Sequence, residues 1–550
     1  MWRVGSHTRA YRAPCPGSEP PILRAPRGSR VVTYGEEIHV DRRIRALLTG
    51  MALTLALAPA AQADHDPMKT SEDLREDVKV AGIRAHLQAL QNIATMHGGT
   101  RASGTPGYDA SAAYVMRRLE RAGYEPEQQV FTFKAFAELA PAAFQRVSPN
   151  PRTFGADEFQ TMDYSGSGDV TAPVTAVDVV LPPGAAANSN TSGCEAADFA
   201  GFPAGNVALL QRGTCPFAQK VENAQAAGAA AAIVFNEGQP GREETLAGTL
   251  GEDTTATIPA IGTSFAIGNE LAAPGTVVRV FTSTKITPTT TSNVIADLAP
   301  RRQRGAGKVV LVGAHLDSVP EGPGINDNGS GIGTILEIAE EMARDRPPRN
   351  PVRFAFWGAE EAGLVGSTRY VAGLSEEEGA RIGLNLNFDM LASPNFIRLV
   401  YDGDGSAFGL VGPSGSDDIE HVFEAYFAAK GLATDPTPFD GRSDYKPFID
   451  VGIPAGGLFS GAENVKTPEQ QARHGGVAGE PFDRCYHQAC DTISNINYVG
   501  LRQLSQGAVH ATAVFAARKE AVGASTAATR KRSGARSARN STRLGHHSQR

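Results

Sequence analysis

Two adjacent carboxylates, Glu360 and Glu361, follow the apolar run PVRFAFWG at 351–358, and like charges so close resist joint ionisation. An acidic helix start would account for such a pair. So would a site where one carboxylate holds a metal and its neighbour moves a proton. Other candidates stand at similar places. His315 and Asp317 close KVVLVGAHLD, Asp327 lies in GINDNGSG, Asp389 ends IGLNLNFD, and His487 lies in CYHQACD. Imidazole and carboxylate are the ligands of hydrolytic zinc. Two histidines and three carboxylates suit two ions with one bridging carboxylate, which together activate water and polarise a carbonyl. One further carboxylate then stays off the metals as general base. Asp317 is placed to accept the other N–H of the His315 ring.

These side chains need elements that bring them together. KVVLVGA, PVRFAFWG, IGLNLNFDM and VGIPAGGLF read as strands. They alternate with helix-like stretches beginning at Asn328, Ala362 and His421, as in a three-layer α/β fold with a mostly parallel central sheet. Ligands of such sheets gather beyond the carboxyl ends of the strands, where the candidates fall. Upstream, 71–96 has helical periodicity behind Ser71 as a cap, YDASAAYVMRRLERAG predicts a second helix, and VFTFKAF alternates like a strand. Residues 150–290 change character. Short runs (AVDVVLP, NVALLQ, AAIVFNE, TVVRVFTS) and one short helix predict an inserted, mainly β domain, closed by a threonine-rich link, STKITPTTTSN. The expected division is 64–148 and 291–518 for the α/β domain, with 149–290 inserted.

The chain has 550 residues and a net charge of −7. Arg42, Arg43 and Arg45 precede a short apolar run ending in Ala61-Gln62-Ala63, the pattern of a secretory signal cleaved before Asp64. Residues 1–63 therefore read as a leader, with the biological start expected near Val40. No later run predicts a membrane span, and the mature product is expected outside the cell. Residues 519–550 are basic and lack aromatics, which predicts a disordered tail rather than a nucleic-acid platform. Cys194, Cys215, Cys485 and Cys490 fit two disulfides in an exported chain, with local spacing favouring 194–215 and 485–490; a zinc site is the weaker alternative. No GxGxxG follows the first strand and no GxSxG elbow occurs.

GAHLDS, GINDNGSGIG, FWGAEEAGLVGS, NLNFDM, FDGRSDYKPF and CYHQACDT together resemble the M28 zinc aminopeptidases of the exported bacterial type. The middle segment resembles the protease-associated (PA) domain that many of them carry. The resemblance implies two zinc ions bound by His315, Asp327 as bridge, Glu361, Asp389 and His487, with Asp317 orienting His315. Glu360 becomes the general base acting on a hydroxide between the ions. Tyr486 and Arg442 are implied to stabilise the tetrahedral intermediate, and the Asp327–Asn328 bond is implied to be cis. The implied activity is removal of N-terminal residues from peptides, favouring apolar ones, by a monomer. Carboxypeptidase or dipeptidase action and a non-catalytic peptide-binding role are the alternatives. Tyr445 departs from the family's usual SDHxPF and is expected to alter the pocket wall. Some relatives hold calcium, but no acidic cluster in the sequence places it here.

Overall fold

The computed structural model describes residues 67–519 except 187, 240, 241, 301–306 and 346. The leader and the tail beyond Lys519 lie outside the described residues. The chain opens with α1 (Pro67–Asp77), α2 (Val80–Met96) and α3 (Pro106–Ala122). The expected single helix over 71–96 is thus two, parted at Val78-Lys79. Ser71 caps nothing; it lies inside α1 and meets His510 Nδ1 at 2.7 Å. Both signals assigned to one helix belong to two, because apolar periodicity continues across the break. The α3 boundaries are locally encoded: the Thr105 side chain accepts from the Tyr108 N–H, Pro106 takes the first turn, and Gly123 closes it at φ 97°.

Two very long strands follow, β1 (Glu127–Ser148) and later β8 (Val277–Leu298). They pair antiparallel along nearly their whole length, from Glu127 opposite Ile295 to Ser148 opposite Val277. The threonine-rich stretch expected as a link is therefore the middle of β8. Its β-branched residues favour extended backbone, and β1 supplies the hydrogen bonds a linker would lack. Between them run β2 (Arg152–Thr153), β3 (Phe159–Thr161), β4 (Gly168–Ala176), β5 (Val207–Gln211), α4 (Phe217–Ala226), β6 (Ala231–Phe235), β7 (Ala260–Thr263) and α5 (Phe265–Leu271). AVDVVLP forms no strand. It begins at the last residue of β4 and then turns, with Asp178 at φ 45°.

The remaining elements are β9 (Val309–His315), α6 (Gly329–Arg344), β10 (Val352–Trp357), α7 (Val365–Ala372), α8 (Glu376–Arg381), β11 (Ile382–Asp389), β12 (Leu399–Tyr401), α9 (Ser416–Ala429), β13 (Asp435–Thr437), α10 (Lys446–Asp450), β14 (Ala455–Phe459), α11 (Pro468–His474) and α12 (Tyr498–Ala517). The sheet order is β13-β12-β14-β11-β9-β10-β8-β4-β5-β6-β7-β3. Neighbours are parallel from β14 to β10 and from β4 to β7, and antiparallel on either side of β8. β8 is the spine. Its first half belongs to the inserted sheet through β4, its second half to the α/β sheet through β10.

The α/β part is layered. On one face the apolar side chains of β9, β10 and β11 pack with α1, α2, α3, α6, α9 and α12. On the other, Trp357, Tyr370, Phe448 and Ile453 form a smaller core beneath α7 and α10. Trp357 is fully buried, and truncating such a side chain to alanine costs about 3–5 kcal/mol. Strands covered on both faces stay in register because any slip would expose them. That rigidity fixes where each strand ends, and hence where the site residues stand.

Candidate active site

β9 ends at His315, β10 at Trp357 and β11 at Asp389, with Trp357 beside His315 in register. The loops leaving these parallel strands emerge on one edge and carry the site. His315 Nε2 lies 3.2 Å from Asp327 Oδ1 and 3.2 Å from Asp389 Oδ1. The other oxygen of Asp327 lies 3.3 Å from His487 Nε2, which is also 3.1 Å from Glu361 Oε2. Asp327 thus faces one imidazole with each oxygen. Glu360 is nearby but farther off, its Oε2 3.9 Å from His315 Nε2.

Local structure explains the convergence. Asn328 caps α6 by accepting the Gly331 N–H at 2.9 Å, and its amide donates to the Phe388 carbonyl, tying the Asp327 turn to β11. The Asp327–Asn328 peptide bond is cis. Asp491 accepts from the backbone N–H groups of both Asn326 and Asp327. Ala359, Met390 and His487 adopt left-handed backbones at φ 56°, 53° and 56°. Such conformations are costly without glycine and collect where a side chain must be aimed. Asp317 Oδ1 is 3.7 Å from His315 Nδ1, beyond a hydrogen bond. Its oxygens accept instead from the N–H groups of Glu360 and Glu361, at 3.2 and 3.4 Å. Asp317 therefore holds the two-glutamate turn.

Two contributors had no role assigned from the sequence, Ser443 inside the FDGRSDYKPF motif and Arg101 outside every motif. Ser443 donates to Asp389 Oδ2 at 2.6 Å and accepts from Asn387 at 2.8 Å. Arg101, fully buried, donates to the carbonyls of Leu316, Pro323 and Gly324 and so pins the loop between His315 and Asp327. Burial lowers its pKa to about 10. It lies between α2 and α3, and its target carbonyls are over two hundred residues away, so nothing local announces it.

The electrostatics fit a cation pair. Burial works against charge on both imidazoles, yet the carboxylates around them, Glu360 for His315 and Glu361 for His487, push both pKa values up. Burial opposes ionisation of Asp327, and the two imidazoles outweigh it, holding its pKa low. Glu360 moves the other way, well above the usual range, because burial withholds water from its charged form. Two buried atoms, His315 Nδ1 and Glu361 Oε1, make no hydrogen bond. Candidate ligand atoms gather in two overlapping groups, His315 with Asp327 and Glu361, and His315 with Glu360 and Asp389. Donors about 2.0–2.2 Å from a tetrahedral zinc ion stand roughly 3.3 Å from each other. The four contacts among His315, Asp327, Asp389, Glu361 and His487 match that spacing; the longer Glu360 contact does not. The donor set fits two divalent ions sharing Asp327.

The outer side opens into a cleft of about 660 Å³ lined by Asp317, Glu361 and His487 and, opposite, by Phe133, Phe136 and Tyr164. Tyr164, from the inserted segment, donates to the Ala362 carbonyl just past the glutamates at 3.0 Å. Arg442 donates to the Tyr486 hydroxyl at 3.2 Å and to Glu463 at 2.7 Å. The Tyr486 and His487 rings stack at 3.8 Å, between the cysteines of the Cys485–Cys490 disulfide. The second disulfide, Cys194–Cys215, lies in the insert. Tyr445 is no pocket wall: it is fully buried against Tyr401 and Phe439. An acidic cluster also exists, Asp402 with Asp404 and Glu420. Its members accept backbone N–H bonds from their own loop. Among the described residues no helix is long and apolar enough to cross a membrane.

The sequence model of Peptidase family M28 matches residues 293–512, and that of the PA domain matches 170–271. An aminopeptidase of Pseudomonas aeruginosa is 48% identical over 423 residues, covering 76% of this chain and 78% of that one. Among solved structures, an aminopeptidase from Aneurinibacillus sp. strain AM-1 superposes with a TM-score of 0.64 at 26% identity, over 82% of this chain and 97% of that one. BSAP, a zinc aminopeptidase from Bacillus subtilis, gives 0.52 at 25% identity, over 79% and 94%. With the matched motifs on the strand ends described above, the chain belongs to peptidase family M28 and is a metallo-exopeptidase carrying an inserted PA domain.

Proposed function

We propose that the chain is an exported dizinc aminopeptidase that removes single N-terminal residues from peptides. The peptidase domain comprises 64–148 and 291–518, with 149–290 as the PA insert. The carrying observation is the shared position of Asp327, one oxygen toward each imidazole at 3.2 and 3.3 Å, with Glu360 set apart. His315, Asp327 and Asp389 would hold one ion, and Asp327, Glu361 and His487 the other. When bound, such a pair lowers the pKa of water towards ~7 and polarises the scissile carbonyl.

The chain's own groups do the rest. Glu360 accepts a proton from the attacking water and returns it to the leaving amine. The Tyr486 hydroxyl, steadied by Arg442, donates toward the oxyanion that develops on the carbonyl oxygen. Asp317 fixes the turn that keeps Glu360 and Glu361 in their separate roles. The apolar side chains lining the cleft favour apolar residues at the substrate terminus.

A panel of one peptide sequence in free, N-acetylated and C-amidated forms tests the reading. Hydrolysis should vanish on acetylation and survive amidation. Cleavage that survives acetylation but stops on amidation would make the enzyme a carboxypeptidase, and loss with both blocks a dipeptidase. No cleavage of any form by the zinc-loaded chain would leave a peptide-binding role.

A further inference from the structure

Outside the residues that line the cleft, α6 turns two more carboxylates inward. Glu337 and Glu340 lie one turn apart, both buried against α2 and α3. Taking two negative charges out of water is costly unless each is compensated. Arg118 of α3 compensates Glu340, with Nε donating to Oε1 at 2.6 Å and Nη2 donating to Oε2. No lysine or arginine among the described residues forms an ion pair with Glu337. Its carboxylate packs so closely against α2 that a Cβ at Gly82 would fall 1.9 Å from Oε1.

The group that faces Glu337 is His86, one turn further along α2 and almost fully buried. His86 Nε2 is 3.3 Å from Glu337 Oε2 and 3.9 Å from Glu340 Oε1, yet it makes no hydrogen bond. Its other nitrogen is occupied: Nδ1 pairs with the Tyr114 hydroxyl at 2.8 Å. This is the arrangement in which an imidazole offers Nε2 to a metal while a neighbour fixes the ring through Nδ1. At the catalytic centre, too, imidazole and carboxylate approach to 3.1–3.3 Å. That is the spacing of two ligands on one ion.

We propose that His86, Glu337 and Glu340 hold a third divalent cation, zinc, which ties α2 to α6 and takes no part in hydrolysis. With a neutral imidazole, the two carboxylates and Arg118 leave one negative charge, which the ion over-compensates by one.

The test is metal counting on the mature chain, zinc-loaded and dialysed against metal-free buffer, by plasma mass spectrometry. Wild type should retain about one zinc ion per chain more than Glu337→Gln. The variant should keep kcat/KM for a free peptide within about twofold, since Glu337 does not line the cleft. Equal zinc content in the two proteins would overturn the proposal. Should Glu337→Gln fail to fold, zinc-edge anomalous diffraction from wild-type crystals decides. A peak between His86 Nε2 and the two carboxylates is expected, and its absence overturns the assignment.

Discussion

The two halves of the proposed dinuclear site are built differently. The inner half, His315 and Asp389, sits on the last residues of two central strands, and the His315 side chain is 1% exposed. The outer half pairs Glu361 with His487, whose side chain is 41% exposed and projects from a loop closed by a disulfide. Only the outer half lines the cleft. Strand ends cannot move without unzipping a doubly covered sheet, whereas a loop can yield. The difference teaches that an inner ion would be held by the fold and an outer one by local restraints. The cleft opens on the side with the weaker hold.

Glu360 stands beside the inner half, 3.9 Å from His315, and offers the most forceful intervention. Glu360→Gln should retain both ions and lower kcat by about 10²–10⁴, the range of a lost general base. Paired metal analysis and steady-state kinetics check this. A variant keeping half of wild-type kcat would remove Glu360 from its role.

A smaller effect should separate the halves from each other. Replacing Cys485 and Cys490 together by serine frees the His487 loop while leaving β9 and β11 untouched. Affinity for the outer ion should fall about 10–100-fold, as expected when support behind a ligand is lost, with the inner ion unchanged. Chelator competition resolves the two steps. Equal weakening of both ions would erase the contrast.

The smallest effect on catalysis belongs to His510, which lies outside both halves. Burial, helped by Arg75 and Lys430, pushes its pKa down to about 4. The folded state therefore prefers it neutral. Its contribution is intact above pH ~6.5 and is lost as pH falls from about 6.5 towards 4, amounting to roughly 3 kcal/mol at most. His510→Gln should flatten the fall of Tm across that window and leave kcat/KM at neutral pH unchanged. An unaltered slope would show that other groups set the acid limit.

Sequence legibility follows the same contrast. The placement of His315 and Asp389 was readable because apolar strands end abruptly in polar residues, and strand ends in such sheets meet along one edge. The β1–β8 ribbon was not readable. STKITPTTTSN has the composition of a linker, and it is a strand only because β1, more than a hundred residues away, pairs with it. Arg101 escaped for the same reason, since its partners are carbonyls, which leave no trace in residue type. Asp317 was singled out for its spacing from the His315 ring, which it faces at 3.7 Å, but its closer bonds to the Glu360 and Glu361 amides exist only in the folded loop.

Zinc-edge anomalous diffraction from the zinc-loaded wild-type enzyme tests the shared-carboxylate arrangement most directly. Two peaks should flank Asp327, about 3.5–4 Å apart, one beside His315 and Asp389 and the other beside Glu361 and His487, with no Glu360 oxygen in either shell. A single peak there, or a Glu360 oxygen within about 2.2 Å of an ion, would contradict the account.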